Sequence, residues 1–184
     1  ISGPSGVGKD SVLQALKLAD YPFYFVVTAT TRPRRPAERD GVDYHFLSRP
    51  EFERRIQAGE FLEWASYNER FYGTLRAPMT AAIAAGRVFL LEIEVKGTRQ
   101  LREQGIPGIY LFIAPPSVDE LRLRLERRGT NSKADIDARV RIAVEEIAAA
   151  QERVGGKPLY DHTIQNQDLP TTIARVAELI GLRR

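Results

Sequence analysis

Cysteine is absent from the 184 residues, and histidine occurs only as His45 and His162. The lack of cysteine excludes disulfide scaffolds, zinc ribbons and thiol nucleophiles, and two histidines are too few for a histidine-rich metal site. No apolar run approaches the ~20 residues that cross a bilayer, and no signal peptide is visible. A chain without cysteine suits the cytosol, so we expect a cytoplasmic protein that does not engage a membrane.

The rest of the composition is that of an ordinary globular protein. Hydrophobic residues make up 43% of the chain and charged residues 28%, which is enough apolar content for a folded core. Lysine and arginine number 27 against 24 acidic residues, so the formal net charge is +3. This small excess permits an anionic ligand but does not indicate nucleic acid, and we expect no nucleic-acid partner.

Strand-like and helix-like segments alternate along most of the chain. This pattern predicts an α/β fold with a mostly parallel sheet flanked by helices. The predicted strands are residues 21–29, 87–95, 109–114 and 160–165, and the predicted helices include 9–19, 97–104, 134–153 and 170–180. Two segments break the alternation. We therefore predict a core of residues 1–29, 78–120 and 145–184, a small mixed α/β insert at 30–77 and a helical lid at 121–144.

A glycine-rich loop opens the chain. Its residues follow the pattern G-x-x-x-x-G-K, in which backbone N–H groups cradle phosphates and the lysine reaches the β- and γ-phosphates. The dipole of the following helix adds positive charge. The predicted phosphate-binding residues are Gly3, Pro4, Ser5, Gly6, Val7, Gly8, Lys9, Asp10 and Ser11. Because such loops normally follow a full strand, we expect the natural protein to have a few residues before Ile1.

Asp10 stands where this pattern has serine or threonine. The usual hydroxyl helps to hold Mg²⁺, and a carboxylate could ligate the metal directly. Asp10 could equally be a favourable residue for the first turn of a helix. The sequence leaves both roles open.

Four motifs follow in and beside the 30–77 segment. They are TTRPRRP at 30–36, DGVDYHF at 40–46, GEFLEWA at 59–65 and FYGT at 71–74. In this order, and with the phosphate loop, they resemble the acceptor-domain signature of the guanylate kinases, which are P-loop nucleoside monophosphate kinases. The resemblance covers essentially the whole chain. It implies a P-loop NTPase core and transfer of the γ-phosphoryl of ATP to GMP.

The resemblance also implies an acceptor site. The residues that match its GMP-binding positions are Thr28, Arg32, Arg35, Tyr44, Glu63, Tyr72, Thr74, Glu92 and Glu94. The planar guanidinium of arginine bonds phosphate oxygens bidentately. A carboxylate such as Glu63 can accept from both N1–H and N2–H of guanine, whereas adenine would present a lone pair to it. Rejection of AMP follows, because unpaired buried groups are costly.

On the donor side, the resemblance assigns Arg124, Arg128 and Arg139 to the triphosphate and Asn166 to the adenine of ATP. Arg124 and Arg128 are four residues apart and share a helix face, although an isolated basic helix face is usually just solvated. Because the acceptor phosphate is already anionic, the implied reaction needs no general base. Lys9, the lid arginines and Mg²⁺ would stabilise the transferring phosphoryl group.

Two alternatives stand beside this hypothesis. Ribose 1,5-bisphosphate kinases resemble guanylate kinases and can carry the G-K-D sequence, but they have no reason to retain Glu63. Guanylate-kinase-like binding modules lack catalysis and typically have degraded loops, whereas Gly8 and Lys9 are intact here. We expect ATP and GMP as the substrates, with dGMP as a further acceptor and Mg²⁺ as the cofactor.

Overall fold

The computed structural model of the protein describes residues 1–18, 23–67, 69–127, 129 and 132–181. The helices are α1 (Lys9–Leu18), α2 (Arg49–Gln57), α3 (Arg76–Ala84), α4 (Val95–Glu103), α5 (Val118–Arg127), α6 (Lys133–Ala149) and α7 (Leu169–Leu179). The strands are β1 (Phe23–Phe25), β2 (Ala29–Thr30), β3 (His45–Phe46), β4 (Phe61–Tyr67), β5 (Arg70–Leu75), β6 (Val88–Leu90), β7 (Leu111–Ala114), β8 (Arg153–Val154), β9 (Lys157–Pro158) and β10 (His162–Gln165).

Contacts divide the chain into two units. We call residues 1–21 and 105–184 the terminal unit, and residues 22–104 the central unit. The 30–77 segment groups with β1, β6 and α4 in the central unit, while α5 and α6 belong to the terminal unit. The predicted boundaries of core, insert and lid stay predictions.

Parallel pairing organises the terminal unit. β7 and β10 are parallel, from Leu111 opposite His162 onward. The residues before the glycine-rich loop join the other side of β7, since the Ser2 N–H donates to the Leu111 carbonyl at 2.8 Å and the Ile113 N–H to the Ser2 carbonyl at 2.8 Å. α7 packs against α1 and β10, and Val12 of α1 is fully buried.

The central unit holds a parallel pair and a mixed sheet. β1 and β6 are parallel. The mixed sheet has the order β3-β2-β5-β4, in which β2 and β3 are parallel and β5 is antiparallel to β2 and to β4. Ser48 caps α2 by accepting from the Glu51 N–H, and Phe52 of this helix packs beneath the sheet. The α/β class predicted from the sequence is confirmed, and the 30–77 segment is mixed as predicted.

Several predicted boundaries were wrong. The predicted strand 21–29 is not continuous, because β1 ends at Phe25 and residues 26–28 are not strand. β6 ends at Leu90, so residues 91–94 are not strand as the apolar run suggested, and α4 begins two residues earlier than predicted. α6 ends at Ala149, and residues up to 153 leave the helix because a hairpin follows. Gly155 and Gly156 form its two-residue turn with φ of 56° and 79°, the left-handed geometry that suits strand twist and that glycine adopts without strain.

None of the residues that the structure describes forms a helix long and apolar enough to span a membrane.

The aromatic stack beneath the mixed sheet generates a stability prediction. Phe52 is fully buried, and its ring stacks on Phe61 at 4.2 Å and on Phe71 at 5.4 Å. Phe52→Ala should lower the free energy of unfolding by about 3–5 kcal/mol, because truncation leaves a cavity. Chemical denaturation measures this. Ile83→Ala is the control, since Ile83 is 55% exposed and should cost less than about 1 kcal/mol; equal losses in the two variants would contradict the prediction.

Candidate active site

The glycine-rich loop of the terminal unit has a backbone that only glycine fits. Gly3, Gly6 and Gly8 have φ of 148°, 90° and 102°, a region that other residues rarely adopt. A Cβ on Gly3 would lie 2.2 Å from the Ile113 carbonyl oxygen, and one on Gly8 would lie 2.7 Å from Asn166 Nδ2. Because α1 begins at Lys9, the loop ends directly at a helix N-terminus, where anions are favoured.

Lys9 folds its side chain back onto the loop. Its Nζ donates to the Gly3 carbonyl at 2.7 Å and to the Pro4 carbonyl at 3.2 Å. The ammonium group therefore lies against the first residues of the loop, and its hydrogen-bond partners there are neutral carbonyl groups.

Of the three predicted lid arginines, Arg139 bonds the loop, and Arg124 bonds Asn166 beside it. Arg139 of α6 donates from Nη1 to Ser5 Oγ at 2.7 Å. Arg124 of α5 donates from Nε to Glu120 Oε1 at 3.0 Å and from Nη2 to the Asn166 carbonyl at 3.1 Å. Arg128 lies outside the described residues. α5 packs on α6, the helix whose Arg139 bonds the loop.

Asn166 lies beside the loop as well, but its side chain already has partners there. Nδ2 donates to the Val7 carbonyl at 2.7 Å, and Oδ1 accepts from Thr172 Oγ1 at 2.8 Å. Thr172 lies in no motif, and no pattern in the sequence predicts its role.

Asp10 and Ser11 are exposed in the first turn of α1. In the part of the chain that the structure describes, no three histidine, aspartate or glutamate side chains come together as a metal site. The donor chemistry nevertheless fits Mg²⁺. This ion is usually held by one or two protein oxygens together with substrate phosphates, and Asp10 and Ser11 offer such oxygens beside the loop.

In the central unit, the residue with the most unusual environment is Glu63 on β4. Glu63 is only 4% exposed, and the fully buried Thr74 of β5 stands opposite it in the strand register. Thr74 Oγ1 donates to Glu63 Oε1 at 2.6 Å. Burial raises the pKa of Glu63 to about 7, although the Thr74 hydrogen bond lowers it, and the nearby Glu94 adds to the rise. The protein thus keeps a carboxyl group in its interior.

α4 packs against the Glu63 carboxyl group. A Cβ on Gly97 would lie 2.3 Å from Glu63 Oε2, so glycine is required for the approach. Gln100 accepts from the Trp64 N–H at 3.1 Å and donates to the Trp64 carbonyl at 2.6 Å. Gln104 donates to the Leu62 carbonyl at 2.9 Å. Both neighbours of Glu63 are therefore fixed to one helix, by residues that the sequence analysis missed despite their four-residue spacing.

Arginine and tyrosine side chains cluster at the predicted phosphate end. The Arg32 guanidinium bonds both carboxylate oxygens of Glu38, at 2.7 and 3.0 Å, and lies 5.4 Å from the centre of the Tyr44 ring. Tyr44 and Tyr72 meet edge to face at 6.3 Å. The Arg32 side chain and the Arg35 backbone N–H together hold the pKa of Glu38 at about 2. Glu38 is another residue that the motifs did not predict.

The other predicted acceptor residues lie at strand ends. Thr28 precedes β2, and its carbonyl accepts from the His45 N–H at 2.8 Å. Glu92 and Glu94 are half-buried in the segment between β6 and α4, where Glu94 forms the N-cap of the helix. Arg35 has an exposed side chain. The structure thus brings Arg32, Tyr44 and Tyr72 together at one place, and Glu63, Thr74 and Glu94 at another.

The sequence and the fold both match those of known proteins. The family model described as guanylate kinase matches residues 1–182. The chain belongs to the guanylate kinase family. It is 45% identical to the guanylate kinase of Frankia casuarinae (strain DSM 45818 / CECT 9043 / HFP020203 / CcI3), over 98% of this chain and 95% of that protein.

A second relative and a solved structure support the same assignment. The guanylate kinase of Latilactobacillus sakei subsp. sakei (strain 23K) is 40% identical, over 98% of this chain and 86% of that protein. The crystal structure of guanylate kinase from Anaplasma phagocytophilum matches with a TM-score of 0.71 and 30% identity, over 97% of this chain and 80% of that one. The family resemblance of the motifs and the predicted α/β P-loop NTPase fold are confirmed.

The buried carboxyl group generates a prediction on pH and stability. The folded-state pKa of Glu63, about 7, exceeds its ordinary value of 4.5, so the folded protein holds this proton more tightly than the unfolded chain does. The residue therefore destabilises the nucleotide-free protein increasingly as pH rises from about 4.5 to about 7. Glu63→Gln should raise the melting temperature at pH 8 by several degrees, and this gain should shrink towards pH 5.

Glu38→Gln is the matched control for this titration. The pKa of Glu38 is lowered to about 2 by Arg32 and Arg35, so its stabilising effect is complete above about 4.5. The variant should melt lower than the parent by the same margin at pH 5 and pH 8. Thermal melts of the three proteins without nucleotide test both expectations, and a pH-independent effect of Glu63→Gln would contradict the assignment of the buried carboxyl.

Proposed function

We propose that the protein is a guanylate kinase that transfers the γ-phosphoryl group of ATP to GMP, producing ADP and GDP. The observation that carries this proposal is the buried Glu63–Thr74 pair in a chain of this family. The Glu63 carboxyl group is only 4% exposed, and burying such a group lowers the stability of the protein. Groups buried at this cost are often found at ligand-binding sites. Guanine supplies the two adjacent N–H donors that a carboxylate can accept.

On the acceptor side, Glu63 and Thr74 would bind the base, with Thr28, Glu92 and Glu94 around it. Adenine has a lone pair at N1, so AMP would leave the Glu63 carboxylate facing an acceptor, and the enzyme discriminates against it. Arg32, Arg35, Tyr44 and Tyr72 would bind the phosphate of GMP. These assignments involve the base and the phosphate and leave the 2′-hydroxyl without a partner, so dGMP is also an acceptor.

On the donor side, the glycine-rich loop from Gly3 to Gly8 would hold the phosphates of ATP. Lys9 exchanges its neutral carbonyl partners for phosphate oxygens, which form stronger charge-assisted bonds. Arg139 and Arg124, with Arg128, supply positive charge to the transferring group. Mg²⁺ bound with ATP would neutralise phosphate charge, and the Asp10 carboxylate is the group that would hold it.

The chemistry requires positioning rather than acid–base catalysis. The attacking atom is a phosphate oxygen of GMP that is already anionic, so no residue has to remove a proton from it. The phosphoryl group passes through a loose transition state, and the cations of the site stabilise its charge. We also propose the cytoplasm as the location, because ATP and GMP are both available there.

ADP release with alternative acceptors tests the function. The protein is incubated with ATP and Mg²⁺ and with GMP, AMP, ribose 1,5-bisphosphate or no acceptor. We expect release that depends on GMP and at most a small signal in the other reactions. Release only with ribose 1,5-bisphosphate would instead identify the sugar-phosphate kinase. No release in any reaction, together with GMP binding in calorimetry, would identify a binding module.

Steady-state kinetics should separate the two halves of the site. Lys9→Ala removes a charge from the transferring group and should lower kcat by about 100-fold or more. Arg35→Ala should mainly raise the KM for GMP, by about ten-fold, with a smaller effect on kcat. Lys17→Ala is the control on the same helix, since Lys17 is exposed in its last turn. Unchanged turnover in Lys9→Ala would refute its assignment.

A further inference from the structure

Asn166 stands where three elements of the terminal unit meet. It follows the last residue of β10, and its backbone N–H donates to the Ala114 carbonyl of β7 at 2.8 Å. Only 5% of the residue is exposed. The backbone is therefore fixed by the parallel pair, and the side chain leaves it in a defined direction.

The side-chain amide connects the glycine-rich loop to α7. Nδ2 donates to the Val7 carbonyl at 2.7 Å, and Oδ1 accepts from Thr172 Oγ1 at 2.8 Å. A carbonyl oxygen only accepts, so the amide must turn its nitrogen towards Val7 and its oxygen towards Thr172. Thr172 is 1% exposed and has one hydroxyl proton to give. The Val7 carbonyl therefore determines which end of the amide faces the loop, and the Thr172 hydroxyl, which can donate or accept, holds the other end.

The same residue also holds a lid arginine. The Asn166 carbonyl accepts from Arg124 Nη2 at 3.1 Å. On the loop side the packing is equally close, because a Cβ on Gly8 would lie 2.7 Å from Asn166 Nδ2. A displacement of Asn166 would thus move the loop and Arg124 together, although they belong to distant segments of the sequence.

We propose that Asn166 is a positioning residue for the phosphate loop and for Arg124, and that it acts through the Val7 carbonyl rather than by reading the adenine of the donor. This inference rests on the proposed function, in which the loop and Arg124 act on the triphosphate. Both ends of the Asn166 side-chain amide have a partner within the protein, and one of these partners, Thr172, is a positioning residue as well.

Donor binding distinguishes positioning from adenine recognition. The binding of ATP and of purine riboside triphosphate, which lacks the 6-amino group of adenine, is measured by calorimetry for each protein. Asn166→Ala should weaken both ligands by the same factor, about ten-fold, because the phosphates lose their organised loop. A loss with ATP that disappears with purine riboside triphosphate would overturn the proposal in favour of adenine recognition.

Thr172 provides variants that keep the asparagine. Thr172→Val preserves the shape but removes the hydroxyl, and it should weaken both triphosphates several-fold. Thr172→Ser retains the hydroxyl and should restore most of the affinity. Thr171→Val is the control, because Thr171 is exposed on the same turn. Parental affinity in Thr172→Val would overturn the proposal, and this series decides the question even if Asn166→Ala does not fold.

Turnover separates this proposal from the proposed function. With ATP and GMP, Thr172→Val should lower kcat and raise the KM for ATP, while the KM for GMP stays within about two-fold. A merely destabilised protein would lower the apparent kcat in proportion to the loss of active enzyme and would leave both KM values unchanged. If the parent protein transfers no phosphoryl to GMP, the proposed function fails, and the binding series still tests the role of Asn166.

Discussion

In the central unit, the Glu63 carboxyl group is kept out of water, and the structure around it reflects this constraint. Burial of Glu63 is unfavourable for the charged form, and the raised pKa of about 7 expresses this cost. The residues around the Glu63 carboxyl group accommodate it. Thr74 stands opposite on β5 to donate a hydrogen bond, Gly97 leaves room for the second oxygen, and Gln100 fixes the strand that carries Glu63. The proposed guanine site is therefore built at the expense of stability.

The terminal unit meets the opposite requirement, because its proposed ligand is highly charged. Arg124 bonds the Glu120 carboxylate, but Lys9 bonds the carbonyl groups of Gly3 and Pro4, and Arg139 bonds the Ser5 hydroxyl. Such bonds to neutral groups exchange readily for the stronger bonds to phosphate oxygens. In the central unit, Arg32 differs because the Glu38 carboxylate holds it bidentately. A phosphate that binds Arg32 must therefore share it with this carboxylate or displace it.

Local patterns predicted much of the fold and some of it wrongly. Ser48 caps the start of α2, and Gly59 with a φ of 67° follows its end; helix ends of this kind are set by hydrogen bonds within a few residues. The apolar run at 87–95 predicts one strand, but only Val88–Leu90 pairs, with β1. Strand length depends on the partner strand, and no pattern within the run shows where that partner ends. The hairpin after α6 was missed for the same reason, although Gly155 and Gly156 marked its turn.

The sequence by itself determined the family and the chemistry. The glycines, Lys9 and the four acceptor motifs owe their meaning to spacing along the chain, since turns and helix starts are short-range structures. Only the tertiary structure decided the partners of the functional side chains. The Asn166 side chain bonds the Val7 carbonyl across most of the chain, and Gly97 faces Glu63. Thr172, on a helix that carries no motif, donates to the Asn166 side-chain amide. Such pairings arise from the packing of distant segments, and a buried polar group takes whichever partner that packing brings within reach.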